Sequence, residues 1–96
     1  MSASLSTHVL DTGRGEPASG VLVELFQGAE LVATGVTDAD GRISFAAELE
    51  PGIYRLVFHP PSPFFLRLEV ELDLGEGDYH IPLLVSPFGC ATYRGS

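Results

Sequence analysis

Ninety-six residues, 45% hydrophobic and 19% charged, make a chain long enough to bury one core and exclude a disordered polar segment. Thirteen acidic residues against five arginines and no lysine give a net charge of −8, which disfavours nucleic acid and anionic membrane surfaces as partners. The apolar runs are far shorter than the ~20 residues of a membrane-spanning helix, and one cysteine excludes an internal disulfide or a multi-cysteine zinc site.

Taken in order, nearly every segment reads as strand and turn. Residues 1–4, Met-Ser-Ala-Ser, carry neither a basic region nor an apolar stretch, so no secretory signal is expected and a cytoplasmic location is the default. Ser6-Thr-His-Val-Leu10 fits a strand with His8 opposite Thr7 and Val9. Val21, Val23 and Leu25 alternate with Leu22, Glu24 and Phe26, and Leu31–Thr37 follows a turn at Gly28-Ala29. Asp40-Gly41 is a favoured turn pair leading into Arg42–Phe45. Residues 46–50, Ala-Ala-Glu-Leu-Glu, hint at a helical turn that Pro51-Gly52 ends. In Ile53–His59, the side chains of Tyr54, Leu56 and Phe58 are expected inward and Arg55 outward.

His59-Pro-Pro-Ser-Pro-Phe64 carries three prolines, which make a helix implausible there. Leu66, Leu68, Val70 and Leu72 then alternate with Arg67, Glu69 and Glu71. Gly75-Glu-Gly77 turns the chain into Tyr79–Ser86, and Pro87-Phe-Gly89 leads on to Cys90–Tyr93. About eight short strands with regular turn signals imply an all-β, two-sheet sandwich. No linker, repeat or low-complexity tract divides residues 1–96, so one domain is expected.

Few residues can carry chemistry. His8 and His80 stand in strand-like segments, where a lone histidine is more often structural; as a pair they offer imidazoles whose ordinary pKa of about 6.5 suits proton transfer at neutral pH. Arg42 follows Asp40-Gly41, an ordinary hairpin sequence, yet a guanidinium there could bind an oxygen and stabilise developing negative charge. Arg55 and Arg67 read as surface ion-pair partners. Three histidines raise the question of zinc, but no close His-x-His or His-x-x-x-His spacing supports it. His59 ends a strand before Pro60 and lies outside the segments that decide the reading below. Cys90 reads as a small hydrophobe on a strand. Tyr93-Arg94-Gly95-Ser96 is either a frayed polar end or part of a site.

Three segments in order decide between these readings. Leu5-Ser-Thr-His-Val-Leu-Asp-Thr12 with Gly15-Glu-Pro-Ala18, then Thr37-Asp-Ala-Asp-Gly-Arg42, then Tyr79–Gly89 running into Thr92-Tyr-Arg-Gly-Ser96, resemble the signature segments of 5-hydroxyisourate hydrolases, the enzymatic branch of the transthyretin family. The resemblance covers nearly the whole chain. It implies a transthyretin-like sandwich that hydrolyses 5-hydroxyisourate to 2-oxo-4-hydroxy-4-carboxy-5-ureidoimidazoline without metal or cofactor. His80 is then the base, and His8 the proton donor or positioner, an order the resemblance leaves open. Arg42 and His8 would hold substrate, Ser96 would orient a histidine through its hydroxyl, and Tyr93 would line the pocket. A homotetramer, a dimer of dimers with sites in the channel between dimers, is implied as well.

Two departures stand out. The family usually has tyrosine where Cys90 stands, which argues against catalytic duty for the thiol. The connection between the fifth and sixth strands, His59–Phe64, is shortened and lacks the family's short helix, though none of the signature segments lies there. The competing readings are a transthyretin-like carrier of small hydrophobic ligands and a structural sandwich module. Neither accounts for the histidine–arginine–histidine set and the Tyr-Arg-Gly-Ser ending.

Overall fold

The alternation seen at the start of the sequence sets the architecture. A computed structural model describes residues 2–95, the side chains of residues 46 and 47 excepted. Strand β1 (Ala3–Asp11) buries Ala3, Leu5, Thr7 and Val9 and turns Ser4, Ser6, His8 and Leu10 to the other face. Nine further strands follow: β2 (Glu16–Pro17), β3 (Leu22–Gln27), β4 (Glu30–Val36), β5 (Arg42–Leu49), β6 (Gly52–Phe58), β7 (Leu68–Leu74), β8 (Gly77–His80), β9 (Leu83–Ser86) and β10 (Gly89–Thr92).

They form two sheets. In the six-stranded sheet β1 is the hub: β5 and β2 pair with it antiparallel, β8 and β9 pair with it parallel, and β10 closes the edge against β9. The four-stranded sheet runs β4-β3-β6-β7, all antiparallel. The core fills the space between them, with Leu5, Val9, Leu83 and Val85 from one sheet and Val23, Leu25, Leu56 and Phe58 from the other. Each such side chain contributes about 1.5–3 kcal/mol relative to exposure. This is the expected all-β sandwich, with Tyr54, Leu56 and Phe58 inward. Arg55 and Arg67 both pair with Glu69, at 3.1 and 2.7 Å.

The strand count exceeds eight for two local reasons. The two-residue β2 adds one, and Pro82 splits the Tyr79–Ser86 run into β8 and β9 because it has no N–H to give the ladder. Ile81 still donates to Ser6 O at 2.9 Å, and buried Thr7 donates its hydroxyl to Ile81 O at 2.5 Å. β7 starts at Leu68, so the alternation expected from Leu66 begins one step late, and Leu66 is 81% exposed.

The helical turn expected at 46–50 is absent; residues 46–49 belong to β5 and Glu50 follows it. Pairing with β1 gives its backbone groups partners that an isolated turn lacks. The surplus residues are absorbed as bulges between Ala3↔Leu49, Leu5↔Ala46 and Ser6↔Ser44, with Glu48 at φ 59°. The shortened connection, now between β6 and β7, holds no helix; Ser62 Oγ accepts from Phe64 N and Phe65 N, at 3.1 and 2.9 Å, and turns the chain locally.

Gly41, the residue before Arg42, has the tightest surroundings of the glycines. At φ +75° it lets its carbonyl accept from Val9 N at 2.7 Å, and a Cβ there would collide with the Val9 carbonyl oxygen. Gly28 has a similar φ of +60° but open space around it. Gly28→Ala should therefore cost only the left-handed penalty of about 1–2 kcal/mol. Gly41→Ala should lose a further ~1–3 kcal/mol from overpacking against β1. Urea denaturation of the two variants checks this; equal losses would mean that the Gly41 contact is relieved without cost.

Candidate active site

The registers of β5 and β8 on β1 build the site. Directly paired residues share a sheet face, with Cβ atoms about 4.5–5.5 Å apart. His8 pairs with Arg42 on β5, and Ser6 pairs with Ser44 on β5 and His80 on β8. The outer face of the six-stranded sheet thus carries a row Arg42–His8 next to a row Ser44–Ser6–His80. Between them lies an open pocket of about 180 Å³ lined by Ser6, Thr7, Arg42, Ile43, Ser44 and His80.

The turn before β5 aims Arg42. Asp38 Oδ1 accepts from Asp40 N at 2.9 Å and Arg42 N at 3.0 Å, and Asp38 O accepts from Gly41 N at 2.9 Å. The Arg42 N–H foremost, then the Asp40 N–H and the nearby positive charges, hold the Asp38 carboxyl below its ordinary pKa against the opposing effect of desolvation. The same turn anchors His8, whose Nε2 lies 2.9 Å from Asp40 O. A carbonyl only accepts, so Nε2 of His8 carries a proton, and in the neutral ring Nδ1 is the acceptor. Arg14 pairs with Glu16, and Arg55 and Arg67 with Glu69; among the described residues Arg42 forms no ion pair, so its guanidinium is available to a ligand oxygen.

His80 is held from several sides. Ser6 Oγ is 2.9 Å from Nδ1, and Gly95 N donates to His80 O at 2.6 Å. Gly95 approaches so closely that a Cβ on it would lie 2.8 Å from His80 Cδ2. Burial foremost, then the positive charge of Arg42 and that of His8 when its ring is protonated, push the His80 pKa below 6.5, which favours a neutral imidazole at pH 7.

The chain therefore brings Arg42 and His80 into one pocket and sets His8 beside them. Tyr93 is 53% exposed and does not line this pocket within one chain. Its neighbours are engaged: Arg94 lies over the Tyr79 ring at 4.5 Å, and Gly95 bridges to His80. Ser96 lies outside the described residues. His59 sits at the end of β6, in the other sheet, 2.6 Å from Glu24 Oε1. Among the described residues no group of three or more His, Cys, Asp or Glu side chains could hold a metal ion. Cys90 packs against the core and burial pushes its thiol pKa up, so it behaves as a small hydrophobe. Ser6 and Ser44 were not singled out from the sequence, although each lies two residues from a candidate and so shares its face: Ser6 with His8, Ser44 with Arg42.

The chain resembles known proteins along almost its whole length. The chain is 41% identical to 5-hydroxyisourate hydrolase 2 of Rhizobium meliloti over 118 aligned positions, covering 99% of this chain and 98% of that one. The alignment is longer than this chain, so the relative carries residues that this one lacks. The solved structure of Klebsiella pneumoniae 5-hydroxyisourate hydrolase superposes with a TM-score of 0.89 at 40% identity, covering 98% and 99% of the two chains. Transthyretin from Sparus aurata superposes at 0.83 with 32% identity, covering 95% of each. The model of the HIUase/Transthyretin family matches residues 5–95, from the strand that carries His8 to the glycine that packs on His80, and the chain belongs to that family.

Proposed function

We propose that this protein hydrolyses 5-hydroxyisourate to 2-oxo-4-hydroxy-4-carboxy-5-ureidoimidazoline in urate degradation. The observation that carries the reading is a histidine kept neutral in the same pocket as an arginine without an ion pair, on a chain about 40% identical to proteins named for that reaction. A non-catalytic carrier needs no such base. The product carries a new carboxyl group and a ureido group, so the bond broken joins a ring carbonyl to a ring nitrogen.

In this mechanism neutral His80 takes a proton from water as the water oxygen attacks the carbonyl carbon. The carbonyl oxygen becomes negative and meets the Arg42 guanidinium. The carbon–nitrogen bond then breaks, and protonated His80 returns its proton to the departing nitrogen. Because His8 commits Nε2–H to Asp40 O, its neutral form offers only the acceptor Nδ1, which suits holding a substrate N–H. His8 is thus the positioner and His80 both base and acid. Ser96 and Tyr93 take the roles the family resemblance implies, Ser96 orienting a histidine and Tyr93 completing the pocket.

The pocket is smaller and more open than the ~300–1,000 Å³ of enclosing ligand sites, which is what a site shared between copies looks like in one copy. A homotetramer, a dimer of dimers closing this sheet face, belongs to the same proposal, as does a cytoplasmic location. Light scattering should give the tetramer mass, and a fully active monomer would remove the need for closure.

Purified protein added to freshly generated 5-hydroxyisourate should hasten its ultraviolet decay above the spontaneous rate. His80→Asn should lose ~10²–10⁴-fold of that acceleration, and a double variant with Arg42→Gln should lose less than the product of the two. A folded His80→Asn protein with full activity would exclude His80 as the base.

The pH dependence has a definite sign. A base works only when deprotonated, and a lowered pKa moves the protonation of His80 to more acid pH than that of an ordinary imidazole. The acid limb of the kcat/KM profile should therefore have its midpoint below pH 6.5. Arg42→Gln removes one of the charges that lower this pKa, so its residual activity should begin to fall at higher pH than wild type. An acid limb that stays in place would detach the two residues.

A further inference from the structure

Ser6 is the pocket residue whose role remains open. Its side chain faces the site because it shares strand parity with His8, and its Oγ lies 2.9 Å from His80 Nδ1. The backbone fixes this meeting: Ser6 pairs with His80 in the parallel ladder, and Ile81 N donates to Ser6 O at 2.9 Å. On the other edge of the ring, Gly95 packs against Cδ2. The imidazole is gripped at Nδ1 and at Cδ2, and Nε2 is the nitrogen left to meet a ligand.

A neutral imidazole carries one proton on one of these nitrogens, and the partner of one nitrogen decides the state of the other. A serine hydroxyl can accept or donate, so Nδ1 is satisfied either way. The environment of Nε2 breaks the tie. Arg42 lines the same pocket and has only donors to offer, so a lone pair on Nε2 is favoured there over an N–H aimed into a positive field.

We propose that Ser6 is a positioning residue: its Oγ accepts the Nδ1–H of His80, holding the tautomer in which Nε2 presents its lone pair to the attacking water. In water the histidine side chain prefers the opposite, Nε2–H form, which cannot act as a base from that nitrogen. Ser6 thus does for His80 what the Asp40 carbonyl does for His8, and the two rings are fixed in opposite tautomers. The catalytic meaning of this assignment rests on the proposed hydrolysis; the tautomer itself does not.

The test uses the full-length protein labelled with nitrogen-15. Long-range proton–nitrogen spectra above pH 7.5 report which ring nitrogen is protonated, with the His80 signals identified by their loss in His80→Asn. Wild type should show a protonated Nδ1 and an unprotonated Nε2. Ser6→Ala should move the ring toward the Nε2–H form and lower kcat on the order of 10- to 100-fold with little change in KM, the size of loss seen when the partner that orients a metal-bound histidine is removed. Ser6→Thr, which keeps the hydroxyl, should restore both.

A wild-type spectrum with Nε2 protonated overturns the proposal, even if Ser6→Ala fails to fold. So does a folded Ser6→Ala protein with unchanged His80 nitrogens and unchanged kcat. If the spectra behave as expected but wild type does not hasten 5-hydroxyisourate decay, the proposed reaction falls and the positioning role stands.

Discussion

Everything in this protein hangs on strand β1 being paired along both edges. One edge takes β5 and β2, the other takes β8 and β9, so a single nine-residue strand fixes the register of four others. Its inward residues, Ala3, Leu5, Thr7 and Val9, are almost fully buried in the core. A one-residue slip would send them to solvent and turn Ser6 and His8 inward, so the hydrophobic demand of the core also sets which side chains face the site. The chemistry inherits its precision from packing. Thr7 shows how closely the two are joined: it is buried, and its hydroxyl is spent on Ile81 O, one residue beyond His80.

The electrostatics follow from the same arrangement. In a chain of net charge −8, arginines find carboxylates readily, and Arg14, Arg55 and Arg67 have done so. Arg42 forms no ion pair among the described residues, and Asp38, four positions before it, has an oxygen engaged by the backbone of the turn. The turn therefore does two things at once: it gives Arg42 a fixed starting point and keeps a natural partner occupied. The uncommitted cation in turn disfavours a proton on His80, which couples anion binding and basicity in one pocket.

The shortened β6–β7 connection shows which parts of the sandwich the site can do without. It joins two strands of the four-stranded sheet, whereas every residue lining the pocket comes from β1, β5 and β8 of the other sheet. Between those sheets lies the core, so residues can be lost from that connection without touching the site. Three prolines and the Ser62 turn close the gap with a short stretch that needs no helix.

The sequence by itself determined the sandwich class, the inward set Tyr54, Leu56 and Phe58, the turn at Asp40-Gly41, and His8, Arg42 and His80 as candidates. The first three are matters of local alternation and turn chemistry, legible along the chain; the histidines and Arg42 stood out through the resemblance of their segments to the family's signature segments. It misread residues 46–50, because helix propensity is local while the strand there is imposed by β1 across the sheet. It also passed over Ser6 and Ser44. A serine has no chemistry of its own to announce; Ser6 gains a function only when the register sets its hydroxyl 2.9 Å from an imidazole 74 residues away in sequence. Which face of His80 meets the pocket and why Gly95 must lack a side chain are likewise decided by contacts between distant strands. Spacing along the chain carries no record of them, because register is fixed by the packing of the whole core and not by any one segment.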